Sequence, residues 1–278
     1  MPAQATSLLR RATSPGRLDG ATQVVTPGDA GWTSISFSAH HLAAGQHIER
    51  PGDGQEVGVV ILEGSADVRA GTRSFGSVGS RTSVFDGPPP PVVLVAAGEP
   101  VAVRSATAAT VLIASAPSGD SVATRLIEPG TMRVEERGSG QTARRVHHLL
   151  PPGEAASRLI LVEVYTPGGN WSSYPPHKHD TEDQPRESLL EELYYYRFAR
   201  PQGFAFARVY TADRSLDQAL TPMDRDVVLV PRGYHPVGMP AGYDGYYLNV
   251  MAGPTRLWNF TLDPDHEWLM DWSPTAPR

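Results

Sequence analysis

Residues 168–196 read GGNWSSYPPHKHDTEDQPRESLLEELYYY, and this stretch decides the class of fold that the chain predicts. His177 and His179 are separated by one residue, so on a β-strand their side chains point to one face and Lys178 points to the other. Two imidazoles about 7 Å apart along a strand can bind one cation, although a third and a fourth ligand must come from elsewhere. The stretch therefore predicts a metal site built on a β-strand.

A third imidazole and a carboxylate are available further along the chain. His235 follows the strand-like run DVVLV (226–230) and a Pro-x-Gly turn, which can direct its imidazole toward an adjacent strand. The nearby carboxylates are Glu187, Glu191 and Glu192. In the run ELYYY, the period of a strand turns Glu192 toward one face, whereas Glu191 faces away. The candidate metal set therefore consists of His177, His179, Glu192 and His235.

Each part of this set has a simpler interpretation when it is taken alone. A His-x-His pair on a strand is usually a surface or packing feature, and two glutamates before an aromatic run usually form a solvated corner. The combination with the turn PRGYH (231–235) favours metal binding. Three neutral imidazoles and one carboxylate suit zinc, iron(II), manganese or nickel. The adjacent pairs His40-His41 and His147-His148 point to opposite strand faces and are poor metal candidates.

The composition is typical of many short strands joined by turns. The chain has 278 residues, 40% of them hydrophobic, with 27 glycines and 26 prolines. This length allows two ordinary domains or one large β domain, and the apolar fraction allows a sizeable core. Cysteine is absent, which excludes disulfides and cysteine-based zinc sites and suits a reducing compartment.

Several function classes are disfavoured. The first twenty residues have no apolar segment typical of a signal peptide, and no run approaches 18 apolar residues, so we expect a cytoplasmic protein without a membrane span. The net charge of −6 gives no general attraction for nucleic acid. The arginine-rich stretch 133–145 is interpreted as a solvated linker rather than a nucleic-acid patch, since nearby acids offset its charge. Association into a homo-oligomer through strand edges is left open.

Strand-like runs recur in two halves of the chain. VGVVIL (57–62) belongs to the first half and LILVEVY (159–165) to the second, and glycine turns close several of the runs. We therefore predict an all-β fold with domains at residues 1–125 and 126–278. Helical character is restricted to 187–193 and a terminal turn at 264–272.

The order of the ligands carries a family resemblance. A His-x-His pair, a following glutamate and a later histidine after Pro-x-Gly is the arrangement of the cupins, and two such halves would make a bicupin with two tandem jelly-roll-like barrels. The chain more closely resembles the KduI/IolB isomerase family of the cupin superfamily, from residue 31 to Trp268. The runs that carry the resemblance are SVFDG (83–87), NWSSYPPHKHD (170–180), LEELYYYR (190–197), GFAFARVYT (203–211), VPRGYHPV (230–237) and GYDGYYLNVMAGPTRLW (242–258). The insert between His179 and Glu192 is longer than in most cupins, is shared by this family, and favours Glu192 over Glu191.

The resemblance implies an aldose–ketose isomerase. Its substrate would be 5-deoxy-D-glucuronate, its product 5-dehydro-2-deoxy-D-gluconate, and its pathway myo-inositol catabolism. A divalent metal on the candidate set would act as a Lewis acid, with zinc expected first and manganese or iron as alternatives. The alternatives are a non-catalytic sugar-binding bicupin, a related uronate ketol-isomerase and a metal-dependent dioxygenase.

An isomerase of this kind also needs a proton-transfer group and a cation for the substrate carboxylate. The candidates for proton transfer are Tyr194, Tyr196, Tyr246 and Lys178, although a regular strand would turn Lys178 away from the metal. The candidates for carboxylate binding are Arg208, Arg232, Arg197 and Arg256. The first half has no equivalent histidine pair, so we expect it to bind no metal and to serve a structural or assembly role.

Overall fold

Two sets of antiparallel strands, one in each half of the chain, make up the computed structural model, which describes residues 7–16, 19–118, 120 and 122–272. The strands of the first half are β1 (Leu9–Arg10), β2 (Ala21–Val25), β3 (Ser36–Leu42), β4 (His47–Arg50), β5 (Gln55–Glu63), β6 (Ala66–Ala70), β7 (Arg73–Val78), β8 (Val92–Val95), β9 (Val101–Ser105) and β10 (Ala109–Pro117), and β11 (Arg125–Ile127) lies at the boundary between the halves. A short helix, α1 (Pro27–Ala30), precedes β3.

The second half continues with shorter ladders around one large sheet. Its strands are β12 (Arg133–Arg137), β13 (Arg144–Leu150), β14 (Ile160–Thr166), β15 (Trp171–Ser172), β16 (His177–Lys178), β17 (Asp180–Asp183), β18 (Glu187–Leu189), β19 (Glu191–Phe198), β20 (Phe206–Tyr210), β21 (Asp217–Leu220), β22 (Val227–Val230), β23 (Val237–Gly238), β24 (Gly245–Ala252) and β25 (Thr261–Leu262). The 3-10 helices span Pro129–Thr131, Gly140–Thr142 and Pro264–Met270.

Each half forms one barrel from a large sheet and a smaller sheet. The N-terminal barrel has a six-stranded sheet in the order β11-β8-β5-β10-β3-β2 and a four-stranded sheet in the order β4-β9-β6-β7. The C-terminal barrel has a seven-stranded sheet in the order β1-β22-β19-β24-β14-β13-β12 and a four-stranded sheet in the order β15-β23-β20-β21. Two short ladders, β16-β25 and β17-β18, complete the second barrel. The predicted all-β class with two barrels is confirmed.

The two large sheets pack face to face, and their strands are therefore buried on both sides. Along β5, Val57, Val59 and Ile61 contribute to the interior of the N-terminal barrel. Val60 and Leu62 belong instead to the core shared with the C-terminal barrel. Burial on both faces explains why β5 reads as a continuous apolar run rather than an alternating one. Gly58 permits the close approach, because a Cβ there would lie 3.0 Å from Cδ1 of Leu161 in the other barrel.

Two glutamates join the barrels in a reciprocal way. The carboxylate of Glu56 on β5 accepts hydrogen bonds from the backbone N–H groups of Ser157, Arg158 and Leu159, which precede β14. The carboxylate of Glu191 on β19 accepts from the N–H groups of residues 33–35, which precede β3. Each barrel therefore inserts one carboxylate into the same place in the other, as an approximate two-fold relation requires.

Glu56→Ala is expected to lower the free energy of unfolding by about 2 kcal/mol, because it leaves buried backbone donors without an acceptor. Glu191→Ala should have a similar effect, since its carboxylate has the same role from the other barrel. Urea unfolding of both variants would measure the change. Glu49→Ala, at an exposed position on β4, is the control and should leave stability unchanged. A loss no larger than in that control would contradict the reciprocal role.

A buried charge cluster also crosses between the barrels. Arg81 of the first half forms a bidentate ion pair with Glu163 on β14, with both N–O distances at 3.1 Å. His147, Tyr165 and Tyr246 also bind the carboxylate of Glu163, at 2.7, 3.0 and 3.0 Å. Burial favours the neutral acid, but Arg81 outweighs it and holds the pKa of Glu163 below its usual value.

The edge strands of the two large sheets are exchanged between the halves. Strand β1, which precedes the N-terminal barrel, pairs with β22 of the C-terminal sheet. Strand β11, which precedes the C-terminal strands β12–β25 as β1 precedes β2–β10, pairs with β8 of the N-terminal sheet. Arg11 reinforces the first exchange through a 2.6 Å ion pair with the buried carboxylate of Asp226.

Two local predictions differ from the structure. The stretch 133–145 is not a linker, since 133–137 forms β12 and 144–145 opens β13, and these strands pair with each other. The helical prediction for 187–193 is wrong, because β18 and β19 occupy these residues. The terminal turn is confirmed as the 3-10 helix Pro264–Met270. Within the described ranges, no helix has the length and apolar character needed to cross a membrane.

Candidate metal centre

Four side chains from separate turns and strands converge inside the C-terminal barrel. The ligand atoms of His177, His179 and His235 all lie within 4.8 Å of one another. Oε2 of Glu192 lies 2.8 Å from Nε2 of His179 and 3.0 Å from Nε2 of His235. His179, Glu192 and His235 are almost completely buried, whereas His177 is half-buried. The structure thus brings together the four residues that the sequence singled out.

Neighbouring ladders fix the position of each of these side chains. His177 pairs with Leu262 in the β16-β25 ladder, and the backbone carbonyl of His179 accepts a 2.9 Å hydrogen bond from Leu190 N. Glu192 lies at the start of β19, between β22 and β24 of the large sheet. The turn before His235 requires Gly233, which has φ +89° and lies so close to Tyr210 that a Cβ would be 2.4 Å from its carbonyl oxygen.

The hydrogen bonds of the imidazoles leave their Nε2 atoms free to bind a cation. Nδ1 of His177, His179 and His235 lies 3.4, 3.1 and 2.9 Å from the backbone carbonyl oxygens of Pro175, Leu190 and Gly233. With the proton on Nδ1, each Nε2 carries a lone pair. In that tautomer the lone pair of His179 Nε2 faces the Glu192 carboxylate at 2.8 Å, and Nε2 of His235 is buried without a hydrogen bond to any described residue. A divalent cation satisfies all of these lone pairs, so the donor set fits a metal ion.

The charges of the cluster also influence one another. Burial and the neighbouring imidazoles of His235 and His179 hold the pKa of His177 well below its usual value. Burial opposes the charge of His179, but the Glu192 carboxylate outweighs burial and raises the pKa of His179. Burial also disfavours the carboxylate of Glu192, yet His235 and His179 hold its pKa well below the usual range. The buried carboxylate thus depends on nearby positive charge, which a divalent cation supplies.

A cavity of about 430 Å³ opens beside this cluster. Such a volume falls within the range of small-molecule sites. Tyr194 contributes a hydroxyl that lies 3.0 Å from Oγ of Ser173, and the hydroxyl of Tyr247 lies 3.5 Å from the same oxygen. The apolar part of the wall comes from Val146, Val164, Pro175, Trp258, Phe260, Leu262, Leu269, Met270 and Trp272.

Of the predicted proton-transfer candidates, the structure brings only Tyr194 to the cavity wall. Tyr196 is on the same strand face but is fully buried behind the wall, and its hydroxyl has no hydrogen-bond partner among the described residues. Tyr246 points toward the other barrel and donates to Glu163. Lys178 faces away and binds Asp180 and Glu187 at 2.6 and 2.8 Å. Sequence reasoning missed Tyr247, which lines the cavity beside Tyr194.

None of the predicted carboxylate-binding arginines lines the cavity. Arg208 pairs with Asp217 on the surface, and Arg232 is exposed. Arg197 is held between Glu63 and Asp224, close to the N-terminal barrel. Arg256 donates to the backbone carbonyls of residues 150–152, 154 and 159, which is a structural role.

The arginines of the cavity wall are Arg137 and Arg144, in the stretch interpreted as a linker. They are cross-strand neighbours in the β12-β13 pair. The hydrophobic alternation that would have shown β13 begins only at Val146, so the sequence offered little signal for them.

The corresponding place in the N-terminal barrel is apolar. Glu56 and Glu191 have reciprocal roles, and the next residue on each strand points into its own barrel. That residue is Val57 in the first barrel and Glu192 in the second. Among the described residues, the cluster of three histidines occurs in the C-terminal barrel alone.

Comparison with known proteins agrees with the fold. An oxalate decarboxylase from Lactobacillus farciminis, in a formate complex, superimposes with a TM-score of 0.64 over 97% of this chain and 92% of that chain, at 13% identity, and therefore shares the fold. An IolB-like protein from Salmonella typhimurium LT2 superimposes with a TM-score of 0.92 at 44% identity, covering 95% of this chain and 99% of that chain. The 5-deoxy-glucuronate isomerase of Geobacillus kaustophilus is 46% identical over 253 residues, which are 91% of this chain and 92% of the relative.

Two barrels with a histidine–glutamate cluster in one of them define a bicupin. The solved structures of the IolB-like protein and of the oxalate decarboxylase both match nearly the whole chain. The chain belongs to the KduI/IolB family, whose family model matches residues 8–269.

Proposed function

We propose that this protein is a metal-dependent isomerase that converts 5-deoxy-D-glucuronate to 5-dehydro-2-deoxy-D-gluconate in myo-inositol catabolism. The observation that carries the proposal is the convergence of three imidazoles and one carboxylate beside a cavity of small-molecule size. Relatives that are 42–51% identical over most of the chain are 5-deoxy-glucuronate isomerases, which supports this substrate.

His177, His179, Glu192 and His235 would hold the metal ion. When bound, a divalent cation would polarise substrate oxygens and stabilise the negative charge that develops when a proton leaves the carbon next to the carbonyl. Three imidazoles and a carboxylate suit zinc first, with manganese or iron as alternatives. Manganese is relevant because Mn(II) centres occur in the oxalate decarboxylase of Bacillus subtilis, which shares the fold.

The other residues of the cavity would position the sugar and take part in proton transfer. Aldose–ketose isomerisation moves one proton between neighbouring carbons and another between their oxygens. Tyr194 and Tyr247, with Ser173 between them, provide hydroxyl groups that can donate to and accept from a substrate oxygen. The apolar wall, which includes Trp258 and Phe260, would exclude water from the reacting atoms.

Removing the metal is expected to lower ketose formation from 5-deoxy-D-glucuronate at least about 100-fold, because the Lewis acid supplies several kcal/mol of charge stabilisation. Prolonged chelation followed by desalting would remove the ion. Zinc, manganese or iron(II), added separately, should restore activity to different extents, and a coupled assay of the ketose product would measure it.

Two outcomes would contradict the proposal in different ways. Full activity of protein shown by elemental analysis to be metal-free would exclude metal dependence. Stoichiometric metal with no ketose formation would exclude the isomerase. Tight uronate binding without turnover would then favour a sugar-binding bicupin.

A further inference from the structure

The two arginines of the cavity wall, Arg137 and Arg144, differ in whether a carboxylate pairs with them. Glu135 on β12 binds Arg137 through two hydrogen bonds of 3.1 Å and also lies 3.2 Å from Arg133 and 3.0 Å from His148. The hydrogen bond from Arg137, with further contributions from His148 and Arg133, lowers the pKa of Glu135 to about 2. This carboxylate is therefore shared by two guanidinium groups and one imidazole.

Arg144 has no such partner. It forms no ion pair with any carboxylate in the described ranges, although it lines the same cavity as His177 and Glu192. Its guanidinium donates to the carbonyl oxygens of Thr142 at 2.8 Å and Tyr174 at 3.5 Å. A guanidinium has five N–H donors in a planar fork, so donors remain for a ligand in the cavity.

Burial makes the missing partner important. The side chain of Arg144 is partly buried, and this burial lowers its pKa. A guanidinium that is removed from water without an anion carries a desolvation cost that a bound carboxylate would offset.

Two other polar atoms of residues in the cavity wall also lack a partner among the described residues. Oδ1 of Asn249 and Nε1 of Trp258 are buried and make no hydrogen bond to any residue that the structure describes. Both residues line the cavity. One is an acceptor and the other a donor, and sugar hydroxyl groups can satisfy both.

We propose that Arg144 binds the carboxylate of the substrate and makes the site selective for uronates over neutral aldoses. This inference rests on the proposed function and names a specificity-determining residue for it. Arg137 is the less suitable of the two arginines, because Glu135 already occupies its fork. The metal set would then bind the carbonyl end of the sugar while Arg144 holds the acidic end, which fixes the direction in which the substrate lies.

The test compares two substrates in one variant. Kinetics with 5-deoxy-D-glucuronate and with 5-deoxy-D-glucose, which has a CH₂OH group instead of the carboxylate, give the selectivity of the wild type as a ratio of kcat/KM values. Arg144→Gln is expected to reduce this ratio by about 10- to 100-fold, the effect of losing a charge-assisted hydrogen-bonded pair. The loss should come mainly from a higher KM for the uronate. A ratio does not change when part of the variant is misfolded, so it separates recognition from stability.

Matched variants complete the experiment. Arg145→Gln removes the neighbouring arginine, whose exposed side chain pairs with Glu136, and should leave the ratio unchanged. Arg144→Lys keeps the charge without the fork and should restore part of the selectivity. An unchanged ratio in Arg144→Gln would overturn the proposal.

Direct binding distinguishes a failure of this inference from a failure of the proposed function. Calorimetry of metal-loaded wild type and Arg144→Gln with D-glucuronate and D-glucose measures recognition without turnover. If the wild type isomerises neither 5-deoxy sugar, the proposed function fails. Preferential uronate binding that is lost in Arg144→Gln would still support carboxylate recognition, and equal binding by both proteins would exclude it.

Discussion

Glu192→Gln is expected to lower the turnover of 5-deoxy-D-glucuronate on the order of 10³-fold and to reduce the metal content of the purified protein. The substitution preserves the shape of the side chain but removes the negative charge between Nε2 of His179 and Nε2 of His235. A neutral amide is a weak metal ligand and leaves a buried dication with less compensating charge. Elemental analysis would measure the metal, and the coupled ketose assay would measure turnover.

Glu191→Gln is the matched control, since it makes the same chemical change one residue earlier on the same strand. Glu191 points to the N-terminal barrel, where it accepts from backbone N–H groups, so this variant should lose stability and keep its metal. A Glu192→Gln protein with full metal content and full activity would contradict the ligand assignment. The same conclusion would follow from a His177→Ala variant that retains both.

Arg81→Met is expected to lower the free energy of unfolding by about 3–5 kcal/mol, because it leaves Glu163 as a buried carboxylate without its main cationic partner. Arg81 and Glu163 are 7% and 0% exposed, so water cannot replace the lost contact. Denaturant unfolding at neutral pH would measure the change. The double variant Arg81→Met/Glu163→Gln should recover part of the loss, since the buried charge is removed while the amide oxygen can still accept a hydrogen bond from the neighbouring tyrosines. A double variant less stable than Arg81→Met would contradict this account of the cluster.

The pH dependence of the same variant has a defined sign. In the wild type the folded-state pKa of Glu163 is below its ordinary value of 4.5, so its carboxylate stabilises the fold above that value and this contribution is lost as the pH falls. Without Arg81, burial favours the protonated acid. The stability difference between wild type and Arg81→Met should therefore shrink as the pH falls below neutrality toward 4.5.

The four converging side chains could be predicted from the sequence on two grounds, the periodicity of a strand and the resemblance to a family. The His-x-His spacing and the face of Glu192 follow from the alternation of a strand. The spacing alone could not show that the four side chains converge, because His235 reaches the cluster only through the packing of Gly233 against Tyr210. Whether these residues bind metal stays a prediction.

The remaining cavity residues were difficult to predict for a physical reason. Tyr246 and Tyr247 are adjacent on β24. Both faces of this strand are buried, so the sequence pattern does not reveal which of the two tyrosines points into the barrel. Arg144 lies in a polar stretch that pairs locally with β12, and no apolar alternation there shows which face points to the cavity. The linker prediction for 133–145 failed because β12 is a short edge strand in which four of the five residues are charged, so it lacks the apolar pattern of a core strand.

The exchanged strands β1 and β11 limit how this molecule can be divided. A cut at the predicted boundary between residues 125 and 126 would separate β1 and Arg11 from β22 and Asp226, and it would also interrupt β11. Each fragment would expose an unpaired sheet edge, which favours aggregation. The chain is the covalent counterpart of a strand-swapped dimer, in which two copies of one gene product complete each other. For this reason the half without the histidine cluster cannot be removed without affecting the other half, and neither half is an independent domain.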